Sequence, residues 1–112
     1  MSMYADYIKE RLGDDSIETE EGFCTYRFLE HNGLPAVYII DIYVRPFLRK
    51  GNVASDLADR VAAIAKEKEC KIMIGTVVPS AKGSTDSLRV LLGYGMQLDS
   101  ASQNLIIFKK GI

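Results

Sequence analysis

The sequence predicts an α/β (α+β) fold, a mixed and mostly antiparallel twisted sheet containing one parallel strand pair joined by a helix. Three features carry that reading. Asn32-Gly33 supplies the positive φ angles of a tight hairpin, so Phe23 to Glu30 should pair antiparallel with Ala36 to Val44. From Val53 onward, Val53, Leu57, Val61 and Ile64 form an apolar stripe at helical spacing opposite a charged face. "KIMIGTVV" follows that helix after almost no linker, and a buried strand, helix, buried strand series implies parallel strands joined by a right-handed crossover.

The other elements follow in chain order. "MYADYIKERLG" places Tyr4, Tyr7, Ile8 and Leu12 on one helical stripe and ends on Gly13, a helix stop. Strand-like alternation begins at Ser16, with Glu21-Gly22 as a first turn before the stronger one at Asn32-Gly33. From Val37 to Val44 the chain is apolar except at Asp41, which suits a strand covered on both faces. In the long helix, read over "VASDLADRVAAIAKEKEC", Ala54, Ala58 and Ala65 permit close packing. "PSAKGSTD" reads as a loop in which Ser84, Thr85 or Asp86 can cap a short helix "SLRVLLGYG". "MQLDSASQNLIIFKK" reads as two antiparallel strands around a polar turn.

With 112 residues, 47% apolar and 26% charged, the chain is expected to form a single domain, residues 1 to 112, of ordinary globular composition. A net charge of −1 gives no global attraction to nucleic acid or to an anionic membrane, so neither is expected as a partner. No apolar run approaches roughly 18 residues and no leader-like segment opens the chain, which points to a cytoplasmic protein. Cys24 and Cys70 lack the number and spacing of a disulfide framework or a metal site, and they read as small buried hydrophobes. His31 stands beside the turn with no ligand partner at metal spacing, so no metal is expected. "AKGST" has its glycine and lysine in the wrong order for a phosphate-binding P-loop, and Ser87 lacks the setting of a hydrolase nucleophile.

The stretch "VRPFLRKGNVA" puts Arg45, Arg49 and Lys50 between the apolar strand and the long helix. The first turn of a helix leaves about four N–H groups without intrahelical partners. The helix dipole adds roughly half a positive charge there. Gly51 lets a ligand approach the backbone, Asn52 tolerates a left-handed conformation, and short Ala54 leaves room for a phosphate. An anion socket is one reading of this loop; a solvated loop whose charges serve solubility is the other.

"YIIDIYVRPFLRKGNVASDL" resembles the central motif of the GNAT superfamily of N-acetyltransferases, V-x-P-x-x-R/Q-x-x-G-x-G/A. Val44, Pro46, Arg49 and Ala54 match, and Asn52 stands where the family usually has glycine. "STDSLRVLLGYGMQ" is similar to the family's later motif, with Ser84 for Asn, Ser87 for Ala and Gly95-Met96 for Gly-Phe. The resemblance implies a GNAT-like sheet with helices on both faces, in which strands 36 to 44 and 71 to 78 splay apart at a bulge and acetyl-CoA inserts its pantetheine arm between them. It places the pyrophosphate on the N–H groups of Lys50, Gly51, Asn52, Val53 and Ala54 with Arg49 nearby. The thioester carbonyl would lie near Val44, and the thiol end near Ser84 or Ser87.

What the resemblance implies chemically is acetyl transfer from acetyl-CoA to a primary amine, small molecule or protein, by direct attack on the thioester. A lysine-like amine costs about 4 to 5 kcal/mol to deprotonate near pH 7, so a general base is required. The glutamate that serves relatives is Ile40 here, leaving Asp41 as the candidate base, although simple strand alternation would turn it to the opposite face. The family's acid, a tyrosine, aligns with Leu91, and Tyr94 is the nearest substitute. These two replacements also fit a catalytically degenerate module, a CoA-binding or structural and assembly protein such as a phage might carry. Relatives wall the acceptor pocket with a strand and two helices ahead of the first antiparallel strands, whereas here one helix does that work. The pocket is then open to a large acceptor or completed by a second copy in a homodimer, with Tyr4, Tyr7 and Ile8 as contact candidates.

Overall fold

The computed structural model describes residues 2–49 and 51–112. Lys50, expected among the anion-binding residues, lies outside them. The elements run α1 (Met3–Leu12), β1 (Asp15–Glu18), β2 (Gly22–His31), β3 (Leu34–Val44), a 3-10 turn (Pro46–Leu48), α2 (Val53–Glu67), β4 (Ile72–Val77), α3 (Ser84–Gly93), β5 (Gln97–Ser102) and β6 (Leu105–Gly111). The six strands form one sheet in the order β1-β2-β3-β4-β6-β5. Every pairing is antiparallel except β3 with β4, which α2 connects. That is the predicted fold class.

The Asn32-Gly33 turn sets the hairpin register, with Phe23 opposite Tyr43 and Glu30 opposite Pro35. Asn32 takes φ 52° and Gly33 φ 80°, the left-handed pair such a turn requires. One face of the sheet packs against α2 and α3. Leu57, Val61 and Ala65 of α2 are buried there against Cys24, Tyr26, Val37, Met73 and Phe108 of the strands. Burying a side chain such as Leu57 contributes about 1.5–3 kcal/mol, so this layer is what holds the sheet.

The other face meets α1 at the β1-β2 side. Ser2 caps α1 by accepting the Ala5 N–H at 3.0 Å, and Gly13 ends it in the left-handed conformation, φ 72°. Only Ile8 of the expected stripe is buried. Tyr4 reaches Phe23 at 6.2 Å between ring centroids, while Tyr7 and Leu12 stay 56% and 57% exposed. A ten-residue helix beside one edge of the sheet covers too little of it to bury the whole stripe.

Three local expectations are corrected. The residue capping α3 is Gly83, at φ 80°, and none of Ser84, Thr85 or Asp86 caps it. Ser84 is instead the first helical residue, and its hydroxyl donates to the Pro79 carbonyl at 2.9 Å. Asn52 takes φ −97° and ψ 8°, so its tolerance of left-handed geometry is unused. α2 stops at Glu67, before Glu69 turns left-handed at φ 63°. No helix among the described residues is long and apolar enough to cross a membrane.

Candidate active site

The site begins where the parallel pair comes apart. β3 and β4 are paired only from Ala36 with Ile72 to Ile39 with Gly75. Beyond that rung β3 stays with β2 as far as Val44, β4 stays with β6 as far as Val77, and the two diverge as a fork. The cause is a β-bulge: Thr25 faces Asp41 and Tyr26 faces Ile39, leaving Ile40 as the extra residue on β3. An inserted residue bends its strand and interrupts the alternation of faces.

That interruption changes the reading of Asp41. Ile42 packs against the helix-side core and Tyr43 stacks on Phe23 at 5.6 Å, so Asp41, two residues before Tyr43, shares the face turned away from α2 and α3. Its carboxyl sits above the usual carboxylate range because burial disfavours the charge, even though the side chain keeps an exposed outlet. Cross-strand from it, Thr25 is 3% exposed, and its Oγ1 is a buried polar atom with no hydrogen-bond partner among the described residues. Such a group is ordinarily satisfied by water or a ligand. Sequence reasoning missed Thr25, since a threonine in a strand carries no signal of its own.

Between the prongs, on the helix side, lies a narrow apolar cleft of about 20 Å³ lined by Ile39, Ile42, Ala54, Ser55, Leu91 and Tyr94. A larger open hollow, about 280 Å³, lies at the far end of the sheet beside Leu34, Ile72, Lys109 and Lys110. We place the site at the fork rather than there. Ligands of parallel strands bind at their carboxyl ends, and the hollow opens at the amino ends of β3 and β4.

The first turn of α2 faces the mouth of the fork, with Ala54 and Ser55 in the cleft lining. The N–H groups of Gly51 through Ser55 donate to no acceptor among the described residues, whereas Asp56 N–H bonds the Asn52 carbonyl at 2.9 Å. Asn52 makes no side-chain cap. The two described arginines of the loop are engaged elsewhere. Arg49 donates from Nε to the Val44 carbonyl at 2.9 Å and lies over the Tyr43 ring at 5.4 Å, while Arg45 donates to the Glu20 carbonyl.

The remaining expected residues are scattered around this centre. Val44 is buried at the end of β3, opposite Gly22, where any side chain would collide with the Tyr43 carbonyl. Ser84 is tied to Pro79, and Ser87 is exposed on the first turn of α3. Tyr94 closes α3 and donates its hydroxyl to Asp59 Oδ1 of α2 at 2.7 Å, with Lys110 Nζ 4.0 Å from its ring centroid. Burial first, and the Asp59 carboxylate second, push the phenol well above its usual pKa, so it holds its proton tightly. Leu91 rests on Gly75: a Cβ at Gly75 would come 2.8 Å from Leu91 Cδ2. A lone glycine inside a strand pattern is the signal that could have marked this close approach.

A mixed sheet with one parallel pair joined by a helix is a fold that this chain shares with solved acetyltransferases. The family model described as "Acetyltransferase (GNAT) family" matches residues 21–94, and the chain belongs to that family. Similar solved structures include the PaiA N-acetyltransferase of Thermoplasma acidophilum in complex with coenzyme A, 14% identical with a TM-score of 0.67, matched over 82% of this chain and 54% of that one. Others are a Bacillus subtilis acetyltransferase in complex with CoA, 12% identical with TM-score 0.70 over 96% and 83%, and a Staphylococcus aureus GNAT-family acetyltransferase, 11% identical with TM-score 0.71 over 95% and 74%. The chain thus spans about half the length of the PaiA enzyme, 54%. A comparison with curated proteins found no match.

Proposed function

We propose that this protein is an N-acetyltransferase that binds acetyl-CoA at the fork and transfers the acetyl group to a primary amine. The observation that carries the reading is the run of N–H groups from Gly51 to Ser55 that donate to no acceptor among the described residues, at the mouth of a fork whose cleft is otherwise apolar. Peptide amides at a helix start suit a diphosphate, and an apolar channel suits a pantetheine arm. CoA complexes among the structural neighbours support the same assignment.

The fit is good at the anion end and incomplete along the arm. A cleft of about 20 Å³ is far below the roughly 300 Å³ or more of small-ligand sites, so the fork must widen to take the arm. In this reading, the amine reaches the fork from the face carrying Asp41. Asp41 accepts the amine's proton, and nitrogen attacks the thioester carbonyl directly. Because desolvation raises the Asp41 carboxyl, the base is active at a pH somewhat above the ordinary carboxylate range.

The tight cleft and the tied-up Tyr94 hydroxyl favour one second reading, a CoA-binding module without turnover. Calorimetry with acetyl-CoA, followed by a thiol-release assay over a panel of amines, separates the two. Binding with amine-dependent thiol release is expected; binding without release supports the module, and no binding at millimolar acetyl-CoA refutes both. Asp41→Asn should lower kcat by about 10²-fold or more.

A further inference from the structure

We propose that Tyr38, hydrogen-bonded across the fork to Thr76, is the acid that protonates the departing thiolate. The inference rests on the acetyl-transfer reading above and adds to it a residue on β3 that the motifs do not mark.

The last rung of the parallel pair joins Ile39 to Gly75. Tyr38 stands one residue before that rung on β3 and Thr76 one residue after it on β4, and Tyr38 Oη lies 2.9 Å from Thr76 Oγ1. The bond therefore bridges the apex of the fork. Both side chains are half-buried. Met73 and Val77 belong to the helix-side core and Gly75 abuts Leu91, so Thr76 faces the opposite side, the side that carries Asp41 and Thr25.

A carrier arm that starts at the first turn of α2 and runs down between the prongs brings its sulfur to this apex. Two alternative donors on α3 are excluded by their surroundings. Leu91 is apolar, and the Tyr94 hydroxyl is committed to Asp59 with its proton held tightly. Ser55 lies in the first turn of α2, at the anion end of the cleft. The Tyr38–Thr76 pair is the hydroxyl couple at the apex.

The step balances as follows. The amine nitrogen, having given one proton to Asp41, bonds to the acetyl carbonyl carbon, and the C–S bond breaks with its electron pair moving to sulfur. Sulfur takes the Tyr38 proton and leaves as the thiol. The proton lost by nitrogen on forming the amide exits through Asp41, and solvent refills the Tyr38 phenolate while Thr76 Oγ1–H donates to it. One proton is released overall from an ammonium substrate. Thr76 is a positioning residue in this scheme.

The test uses the full chain and acetyl-CoA with the best amine of the panel. Tyr38→Phe keeps the ring and removes the hydroxyl; kcat should fall by about 10²-fold with KM for acetyl-CoA little changed. Site-specific replacement of Tyr38 by 3,5-difluorotyrosine, a more acidic phenol, should shift the alkaline limb of the kcat profile to lower pH, which a purely structural clip would not do. Full kcat in Tyr38→Phe, or an unmoved alkaline limb in the fluorinated protein, overturns the proposal and leaves the acetyltransferase reading intact. If Tyr38→Phe fails to fold, the fluorinated protein alone decides. Absence of any turnover by the unaltered protein refutes the underlying reading instead, and this one with it.

Discussion

Gly75→Ala probes how α3 is seated on the fork. The new methyl would lie 2.8 Å from Leu91 Cδ2, roughly 1 Å inside the usual 3.5–4.0 Å contact. Overpacking of this size costs about 1–3 kcal/mol. The clash is with the tip of a rotatable side chain, and a strand alanine regains roughly 0.5–1 kcal/mol over glycine, so the net loss should be about 1 kcal/mol. Free space beside Leu91 lies in the cleft, already only about 20 Å³, so relief of the clash fills the channel proposed for the carrier arm. Urea unfolding followed by circular dichroism measures the first effect and acetyl-CoA calorimetry the second. Leu91→Ala should cost less stability in the Gly75→Ala background than in the parent and should restore part of the affinity, a coupling that additive, unconnected sites would not show. A Gly75→Ala protein as stable as its parent, with unchanged acetyl-CoA affinity, would refute the packing argument.

Both thiols should resist labelling in the native state. Cys24 is fully buried, and desolvation aided by the Asp41 charge pushes it up to about 12, while burial also raises Cys70, so an aromatic disulfide reagent should react only as the protein opens. Arg27→Gln should lower the midpoint of thermal or urea unfolding, because it strips a 2.6 Å charged partner from Asp14, which is 4% exposed. Asp99 accepts from Lys109 at 3.1 Å and His31 at 3.0 Å, and these bonds hold its carboxyl below the usual range. Its contribution to stability is then present above the unfolded value near roughly 3.9 and lost as pH falls through the folded one; Asp99→Asn should flatten the acid side of the stability profile.

Much of the fold was legible because several independent signals agreed. The Asn32-Gly33 turn set the hairpin register, and the stripe of Leu57 and Val61 with the adjoining apolar strands set the crossover. Of the candidate site, the start of α2 was legible, since the motif placed Gly51 to Ala54 where that helix begins. The resemblance implied a bulge at the splay; what could not be read was its place, at Ile40. A bulge depends on cross-strand register, and it moves Asp41 to the face that strict alternation denied it. The arginine charges suggested a phosphate, and nothing in the sequence signalled that Nε of Arg49 and Arg45 would also bond the carbonyls of Val44 and Glu20. Tyr38 and Thr76 gave no signal because 38 residues separate them along the chain and only the parallel pairing joins them.

Asn52→Asp gives the most direct test of the amide cradle at the start of α2. The substitution is isosteric, and an acidic N-cap residue favours the helix, so the fold should be as stable as before or slightly more so. A unit charge about 5 Å from a bound phosphate costs about 1–3 kcal/mol across surface-like dielectrics, so acetyl-CoA affinity by calorimetry should fall by about 5-fold to 150-fold. Unchanged affinity in a well-folded Asn52→Asp protein would show that the anion is held elsewhere.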